Sequence, residues 1–365
     1  MRIWFTASVA SARHNSMHRS MNMLAAELRS YGHTVKLYLM SPGRRKSRKL
    51  FIPAMLYRYL FLFWRRPHWI ITHPSDGLLF AIISRQLFKR TRVALFGPGR
   101  VERIIDLEHR LPASLVAAPT VWHLRLIKKA LLRLSIRESA LCICSTVDEA
   151  RWLQGRYRAA RGKTIVIPTG VRQVRHPYWP LQQDFPPSFL MTGRFTWKMN
   201  LEYGIELFRR LLSVNNTARL FIVGCGPLSE QKKRLLFPLG DAVFTVENES
   251  PEKMYRWYES CPFMLVPSRY EESRPEIILE AQLRGCIVFA SDIPPVRECI
   301  TPGVNGFIIS GVNPVADAAL LTDVIGSRET ILRIGNAAAG KASRQSVKRQ
   351  GKRLLRALSA TVNTS

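Results

Sequence analysis

The segment from Val266 to Glu298 places the tightest limits on how this chain can fold. It reads VPSRYEESRPEIILEAQLRGCIVFASDIPPVRE, with an acidic loop and a helical pattern between two apolar runs. The second run, CIVFA, is continuously apolar, as expected for a strand that a parallel sheet buries on both faces. Ser273 and Glu276 have capping-box spacing. Pro275 suits the first helical turn, and Gly285 suits the helix end. The segment therefore predicts a strand–loop–helix–strand unit of an α/β protein.

Two carboxylates, Glu272 and Glu280, lie eight residues apart across the junction between this loop and the helix. A buried carboxylate needs a polar partner, and a sugar hydroxyl can supply one. A helix N-terminus at the carboxyl end of a strand can also hold an anion such as a diphosphate. The residues alone leave a second interpretation open, in which Glu272 and Glu276 are helix-start acids and Glu280 belongs to a solvated face.

Apolar runs alternate with helical patterns along the rest of the chain. The first half has a helical pattern over 17–28 that ends at Gly32, and strand patterns at 3–9, 35–39, 69–72, 92–96, 141–144 and 164–167. The stretch 171–187 holds four prolines and predicts a linker. Beyond it, strands are predicted at 188–193 and 220–224, and strand, helix and strand over 243–268. This alternation predicts a parallel sheet in each of two domains, 1–170 and 188–340, followed by a basic helical tail, 341–365.

The net charge of +29 is unevenly distributed. Basic clusters at 44–49, 65–66 and 89–92 surround the apolar, aromatic window Phe51–Trp64, and the tail adds further Lys and Arg residues. At about 14 residues the window is too short to span a bilayer. It can lie in an anionic membrane surface or form a buried core helix, and the sequence leaves both open. Nucleic acid is not an expected partner, because no nucleic-acid-binding motif accompanies the charge.

The cysteines and the N-terminus indicate a protein of the reducing cytoplasm. The six cysteines include no C-x-x-C pair, and Cys142 and Cys144 alternate within an apolar run, which favours core thiols over metal ligands. The N-terminus lacks the pattern of a signal peptide. We expect a cytoplasmic location, with attachment to the inner face of the membrane left open. No H-E-x-x-H and no loop D-x-D is present, so the sequence predicts no metal and no cofactor.

The acidic segment resembles the donor-site motif of retaining GT-B-fold glycosyltransferases of family 4, also called glycosyl transferases group 1. In that motif an E-x7-E pair follows P-S and precedes E-A, and here the pair is Glu272 and Glu280, within Pro267-Ser268 and Glu280-Ala281. The resemblance implies two Rossmann-like domains facing across a cleft, with the C-terminal helix crossing back onto the first domain. It also implies that Glu272 contacts the hydroxyls of the donor sugar and Glu280 the ribose of the nucleotide.

A second segment, Gly193 to Asn200, resembles the G-R-L-x-x-x-K-[GN] segment of the same family. It implies that Arg194 and Lys198 contact the diphosphate, whose charge grows as it leaves. Lys198 follows Arg194 by four residues where the family usually has five. The resemblance completes the donor-binding set with Gly193, Gly224, Gly226, Ser273, Arg274, Pro275 and Glu280.

The N-terminal half matches the same family more loosely. LAAELRSYGHTVKLY resembles its L-A-x-x-L-x-x-x-G-H-x-V pattern, and IVIPTGV resembles V-I-P-N-G-V with Thr169 in place of Asn. Where the family has Gly-Gly and an acid, this chain has Asn15, Ser16 and His18. Phe96 stands near the position where the family often has a donor-contacting His. The acceptor-side or loop candidates are therefore Asn15, Ser16, His18 and His73, and the candidates for the donor-contacting histidine are His73, His14 and His18.

The implied activity is a hexosyl or related glycosyl transfer with retention of anomeric configuration. The donor is a nucleotide-diphosphate sugar, with UDP or GDP undetermined, and the acceptor is a glycan or lipid-linked glycan of bacterial surface polysaccharide or lipopolysaccharide synthesis. Two alternatives stay open. One is a sugar-nucleotide epimerase of the same fold, and the other is a non-enzymatic basic protein that binds membrane or nucleic acid.

Overall fold

A computed structural model of the chain describes residues 1–7, 16–39, 56–57, 59–60, 66–87, 90–99, 103, 122–172, 186–225, 230–247, 249–270 and 275–363. The chain forms two compact units. The N-terminal unit comprises Met1–Gly170 and Val347–Ser365, and the C-terminal unit comprises Val171–Ser346. Most of the predicted linker, 171–187, lies outside the described residues.

The N-terminal unit is a parallel sheet with helices between its strands. Its elements are β1 (Arg2–Ala7), α1 (Ser16–Ser30), β2 (Thr34–Leu39), β3 (Trp69–Thr72), α2 (Pro74–Leu87), β4 (Arg92–Phe96), α3 (Trp122–Glu138), β5 (Leu141–Cys144), α4 (Val147–Arg156) and β6 (Thr164–Val166). The strand order is β2-β1-β3-β4-β5-β6. Strands β3 and β5 are buried along their whole length, in keeping with their mostly apolar sequences.

The C-terminal unit repeats this architecture with a different strand order. Its elements are β7 (Ser188–Arg194), α5 (Leu201–Val214), β8 (Arg219–Cys225), α6 (Glu230–Leu236), β9 (Val243–Glu247), α7 (Pro251–Ser260), β10 (Phe263–Val266), α8 (Glu276–Leu283), β11 (Ile287–Ser291), α9 (Pro294–Arg297), β12 (Phe307–Ile309), α10 (Pro314–Ile325) and α11 (Arg328–Ser343). The order β12-β11-β10-β7-β8-β9 is the dinucleotide-fold order 3-2-1-4-5-6 read from the other edge. Two parallel-sheet Rossmann-like units are therefore confirmed, while their facing across a cleft stays a prediction.

The last helix, α12 (Val347–Asn363), packs on the N-terminal unit although it follows the C-terminal one. Leu354 and Leu358 are fully buried in the same core as the apolar face of α1. Gly351 allows close packing, because a Cβ there would lie 3.0 Å from Cγ of Glu27 on α1. The amphipathic pattern of the tail is thus used to cover the first sheet.

The predicted start of α8 is wrong. The helix begins at Glu276, and its N-cap is Pro275, whose extended backbone (φ −70, ψ 111) ends the loop. Because Glu276 is the first helical residue, it cannot occupy the third position that a capping box requires, and Pro275 lies outside the first turn. The predicted helix end is confirmed. Gly285 has φ 82, and the Cys286 amide donates to the Ala281 carbonyl at 3.0 Å, as in a Schellman turn.

Candidate functional site

The carboxyl edge of the C-terminal sheet contains the candidate site. Strands β7 and β10 are neighbours there, although β8 and β9 lie between them in chain order, so the connections leave the sheet in opposite directions at this point. Ligands of open α/β sheets bind at such switch points, beyond the carboxyl ends of the strands. β7 ends at Arg194 and β10 ends at Val266, so the two motif segments found in the sequence begin side by side.

Two glycines bring the ends of β7 and β8 unusually close together. Gly193 has φ 147 and pairs with Gly224 in the parallel register. A Cβ at position 224 would overlap the Gly193 carbonyl oxygen and lie 2.7 Å from Cε1 of Phe195. Only glycine fits at 224, which supports its interpretation as a backbone device at the edge. Gly226, the other glycine of this predicted turn, lies outside the described residues.

The loop after β7 carries the two predicted diphosphate ligands. Arg194 is exposed at the end of the strand, and Lys198 lies within a single 3-10 turn, Trp197–Met199. The Lys198 ammonium nitrogen is 5.6 Å from the centre of the Tyr270 ring, within cation–π range. Asn200 follows in the left-handed conformation (φ 53, ψ 46) and caps α5. The four-residue spacing between Arg194 and Lys198 therefore leads into a tight turn.

Arg269 ties this loop to the loop after β10. Its amide donates to the Lys198 carbonyl at 2.9 Å, and its Nε donates to Oδ1 of Asn200 at 2.8 Å. The structure thereby places Lys198 next to the residues that lead into the acidic loop. Glu272, Ser273 and Arg274 lie outside the described residues, so their predicted contacts stay predictions.

Glu280 lies on α8 and is buried, with an exposed fraction of 5 %. Its Oε2 accepts a hydrogen bond from the hydroxyl of Tyr258 on α7 at 3.3 Å. The interpretation of Glu280 as part of a solvated face is therefore wrong. Arg284, one turn further along the chain, lies 4.2 Å over the Tyr255 ring and 3.6 Å from Glu259. The contacts of Glu280 and Arg284 thus hold α8 against α7.

His73 lies at the equivalent edge of the N-terminal sheet. It follows β3 directly, and its amide donates to the Thr6 carbonyl at the end of β1, at 3.3 Å. The order β2-β1-β3 makes this the switch point of that sheet. His73 Nδ1 is 2.7 Å from Ser75 Oγ, which donates to Oδ1 of the buried Asp76 at 2.9 Å. The imidazole is thus oriented by a short polar chain.

His18 is held inside the N-terminal unit near the start of α1. Its exposed fraction is 9 %, its Nε2 has no hydrogen-bond partner among the described residues, and burial lowers its pKa below 6.5. A neutral imidazole is therefore favoured there. Ser16 is the first residue of α1, while Asn15 lies outside the described residues, as does His14. Phe96 is buried at the end of β4 in the core, where it makes apolar contacts.

The model of the family described as Glycosyl transferases group 1 matches residues 181–341. That range covers the candidate donor site and less than half of the chain. A D-inositol 3-phosphate glycosyltransferase of Nocardia farcinica is 26 % identical over 62 % of this chain and 54 % of its own. A lipopolysaccharide 1,2-N-acetylglucosaminetransferase of Salmonella typhimurium is 23 % identical over 37 % of each chain. The chain thus spans about half, or less, of the length of these relatives.

Whole-chain similarity extends to solved structures. Anabaena HepE in complex with UDP-glucose superimposes with a TM-score of 0.73 at 16 % identity, over 99 % of this chain and 100 % of its own. At that identity the likeness establishes the fold, and it covers both Rossmann-like units.

Several residues of the site were not found by sequence reasoning. Arg269 and Tyr270 directly follow the Pro267-Ser268 pair, and their proximity to that motif was an available signal. Tyr258 carries no such signal, because its contact with Glu280 joins two helices 22 residues apart. Its role emerged from packing alone.

Within the described ranges, no cluster of three or more His, Cys, Asp or Glu side chains could hold a metal ion. In the same part of the chain, no helix combines the length and apolarity needed to cross a bilayer. Cys142 and Cys144 are buried free thiols, as predicted.

Proposed function

We propose that this protein is a glycosyltransferase that uses a nucleotide-diphosphate sugar as donor. The observation that carries the proposal is the meeting of two loops at one switch point, where Arg269 joins the Lys198 segment to the start of the acidic loop. The match of residues 181–341 to Glycosyl transferases group 1 supports it independently, because that range contains both loops.

The charges at this edge suit a departing nucleoside diphosphate. In the transfer, the bond between the anomeric carbon and the diphosphate oxygen breaks, and an acceptor oxygen bonds to that carbon. Arg194 can hold phosphate oxygens with two parallel hydrogen bonds, and Lys198 supplies a point charge. Both act on charge that grows towards the transition state, which is where binding energy accelerates a reaction.

The carboxylates receive separate roles in this proposal. Glu280, held by the Tyr258 hydroxyl, accepts hydrogen bonds from the ribose, since a carboxylate has several acceptor sites. Glu272 contacts the donor sugar hydroxyls. Retention of anomeric configuration is part of the proposal and rests on the E-x7-E resemblance.

The preferred donor is a UDP-sugar, and the preferred acceptor is a bacterial surface glycan, free or lipid-linked. HepE, whose architecture this chain shares, was solved with UDP-glucose. The similarity to a lipopolysaccharide N-acetylglucosaminetransferase supports the choice of acceptor. The reaction would take place in the cytoplasm, at or near the inner face of the membrane, where lipid-linked intermediates are exposed.

A thermal-shift panel of UDP- and GDP-sugars tests the donor site. A ligand at one hundred times its dissociation constant adds about 2.7 kcal/mol to the free energy of unfolding. For a unit of this size that corresponds to a rise in Tm of about 5–11 °C. Absence of a shift with every nucleotide sugar would refute the proposal.

Matched variants test the site itself. Arg194→Gln and Lys198→Gln should each weaken nucleotide-sugar binding by about 10- to 150-fold, the loss of one charged hydrogen bond. Arg209→Gln is the control, because Arg209 is exposed on α5 and pairs with Glu206. Equal effects of all three changes would show that overall charge, rather than this edge, attracts the ligand.

Product analysis separates the open alternatives. Incubation with donor alone should leave the sugar unchanged, whereas an epimerase would alter its configuration. With an acceptor, the anomeric configuration of the product decides between retention and inversion. A non-enzymatic binding protein would give no product with any donor and acceptor, whereas the transferase predicts that Glu280→Gln, which removes a charge while keeping the side-chain shape, lowers turnover.

A further inference from the structure

Helix α3 carries apolar side chains on two opposite faces. Leu132, Ser135 and Ile136 are buried against the rest of the N-terminal unit, as expected for the inner face of a surface helix. The outer face nevertheless presents Leu126, Ile127, Leu131 and Leu134, with exposed fractions of 53, 52, 47 and 36 %. Ile127, Leu131 and Leu134 follow one another at spacings of four and three and form one stripe along the helix, with Leu126 next to Ile127 at its start. Exposed apolar residues in a continuous stripe, unlike scattered ones, indicate an interaction surface.

The stripe continues onto the neighbouring helix α2. A groove of about 390 Å³ lies between the two helices, and Leu134 lines it together with Leu78 and Ile82 of α2. On the same helix Leu79 and Leu87 are also exposed, at 44 and 64 %. We call the exposed residues of α2 and α3, with this groove, the α2–α3 surface. Of the window Phe51–Trp64, the described Tyr59 is fully buried in the core, where its hydroxyl lies 2.8 Å from Oγ of the buried Ser84 of α2.

The α2–α3 surface is positively charged around its apolar stripe. Exposed Lys128 and Arg133 lie on opposite sides of the stripe, and Arg85 and Arg137 are exposed at the groove end. The acids in these two helix sequences are Asp76, which is buried, and Glu138. Glu138 accepts hydrogen bonds from Arg137 at 2.8 Å and from Arg85 at 2.6 Å, and these contacts lower its pKa. The surface therefore keeps a net positive charge at neutral pH.

We propose that the α2–α3 surface docks on an anionic lipid bilayer. Apolar side chains flanked by Lys and Arg are the pattern of helices that lie in a membrane interface, with the apolar residues at the acyl boundary and the cations at the lipid phosphates. A nucleic acid would pair with the cations but would offer no partner to the leucines. A second copy of this chain, related by two-fold symmetry, would place positive charges against positive charges. The inference extends the proposed function, because it brings the enzyme to lipid-linked acceptors, but it rests on the helices alone.

Vesicle co-sedimentation of the full chain tests this docking. Vesicles that contain phosphatidylglycerol should bind the protein, and vesicles of phosphatidylcholine alone should bind it much more weakly. Lys128→Gln combined with Arg133→Gln should reduce binding about 25-fold, because one cation near an anionic surface contributes a factor of about five. Leu131→Gln should reduce binding about tenfold by removing part of the inserted apolar surface.

Controls in the C-terminal unit make the same chemical changes elsewhere. Arg209→Gln combined with Lys233→Gln removes the same net charge, and Leu332→Gln replaces a leucine that is 38 % exposed on α11. Both controls should leave vesicle binding unchanged. If the controls reduce vesicle binding as much as the α2–α3 variants do, the loss reflects overall charge or stability instead of this surface, and the proposal is overturned.

Two further measurements separate the remaining outcomes. Light scattering that shows a dimer which Leu131→Gln dissociates would assign the surface to a second copy and overturn the bilayer proposal. The UDP-sugar thermal shift should be the same in the α2–α3 variants as in the unaltered chain. Vesicle binding without any nucleotide-sugar shift would refute the transferase and leave the docking intact. A nucleotide-sugar shift without vesicle binding would refute the docking and leave the transferase intact.

Discussion

Replacing Gly224 with alanine should disturb the candidate donor site. The new Cβ would overlap the Gly193 carbonyl oxygen and lie 2.7 and 2.9 Å from two atoms of the Phe195 ring. Real Cβ contacts are essentially never below 3.0 Å, so the ring must withdraw by at least about 0.3 Å and the carbonyl by more. The ring can rotate, but the carbonyl belongs to the strand β7 backbone, which pairs with β8 on both sides of this point.

The expected loss of stability follows from the Gly193 carbonyl, which cannot move as freely as the Phe195 ring. Overpacking a core costs about 1–3 kcal/mol, and the backbone clash places Gly224→Ala at the upper end. For a unit of this size, about 3 kcal/mol lowers Tm by about 6–12 °C. Differential scanning calorimetry measures this change in Tm, and titration with a UDP-sugar should show weaker binding because the edge has moved.

Gly340→Ala is the matched control for this prediction. Gly340 lies inside α11 of the same unit, and apart from its chain neighbours and the nearby backbone of its own helix, no described atom lies within 4 Å of the position its Cβ would take. The same methyl group should there stabilise the unit by about 0.4–1 kcal/mol, since alanine restricts the unfolded chain. If Gly224→Ala leaves both Tm and nucleotide-sugar affinity unchanged, the close approach of β7 and β8 described above is incorrect.

Three further changes test separate parts of the structure. Thr146→Ala removes the N-cap whose hydroxyl accepts from the Glu149 amide at 3.0 Å, so urea unfolding should show a loss of about 1 kcal/mol that Thr146→Ser restores. Burial lowers the pKa of His18 below 6.5, so the unfolded chain binds more protons at about pH 6 and the free energy of unfolding should fall as pH drops through that value. His18→Gln should make stability depend less on pH in thermal scans, and an unchanged slope would contradict the lowered pKa of His18. Tyr258→Phe removes the hydroxyl that donates to Glu280 and should cost about 1.5 kcal/mol or more in denaturant unfolding, together with weaker UDP-sugar binding.

The strands were the most predictable part of the fold. The predicted ranges 69–72, 92–96 and 141–144 coincide with β3, β4 and β5. These runs are short and mostly apolar, so a buried parallel strand is the structure they favour. The start of α8 was predicted wrongly, because serine, proline and glutamate each suit several positions near a helix N-terminus. The backbone of Pro275 decided among them.

The candidate site was predictable to the extent that its residues are close in sequence. Arg194 and Lys198 share one short motif, and the E-x7-E pair shares another. The hydrogen bond from Arg269 to Asn200 joins positions 69 residues apart, and no local pattern encodes it. Only the adjacency of β7 and β10 in the sheet brings those positions together.

The sequence by itself determined the alternation of strands and helices, and with it a doubly wound α/β architecture, because local periodicity reflects which side chains each element buries. Tertiary structure decided which apolar faces are buried and which stay exposed. In α3 both faces are apolar, and periodicity cannot tell them apart, so the exposed stripe became visible only once Leu132 and Ile136 were seen packed inside. The burial of Glu280 and the return of α12 to the first unit were decided in the same way. Each depends on contacts between residues far apart in the chain, which local patterns do not record.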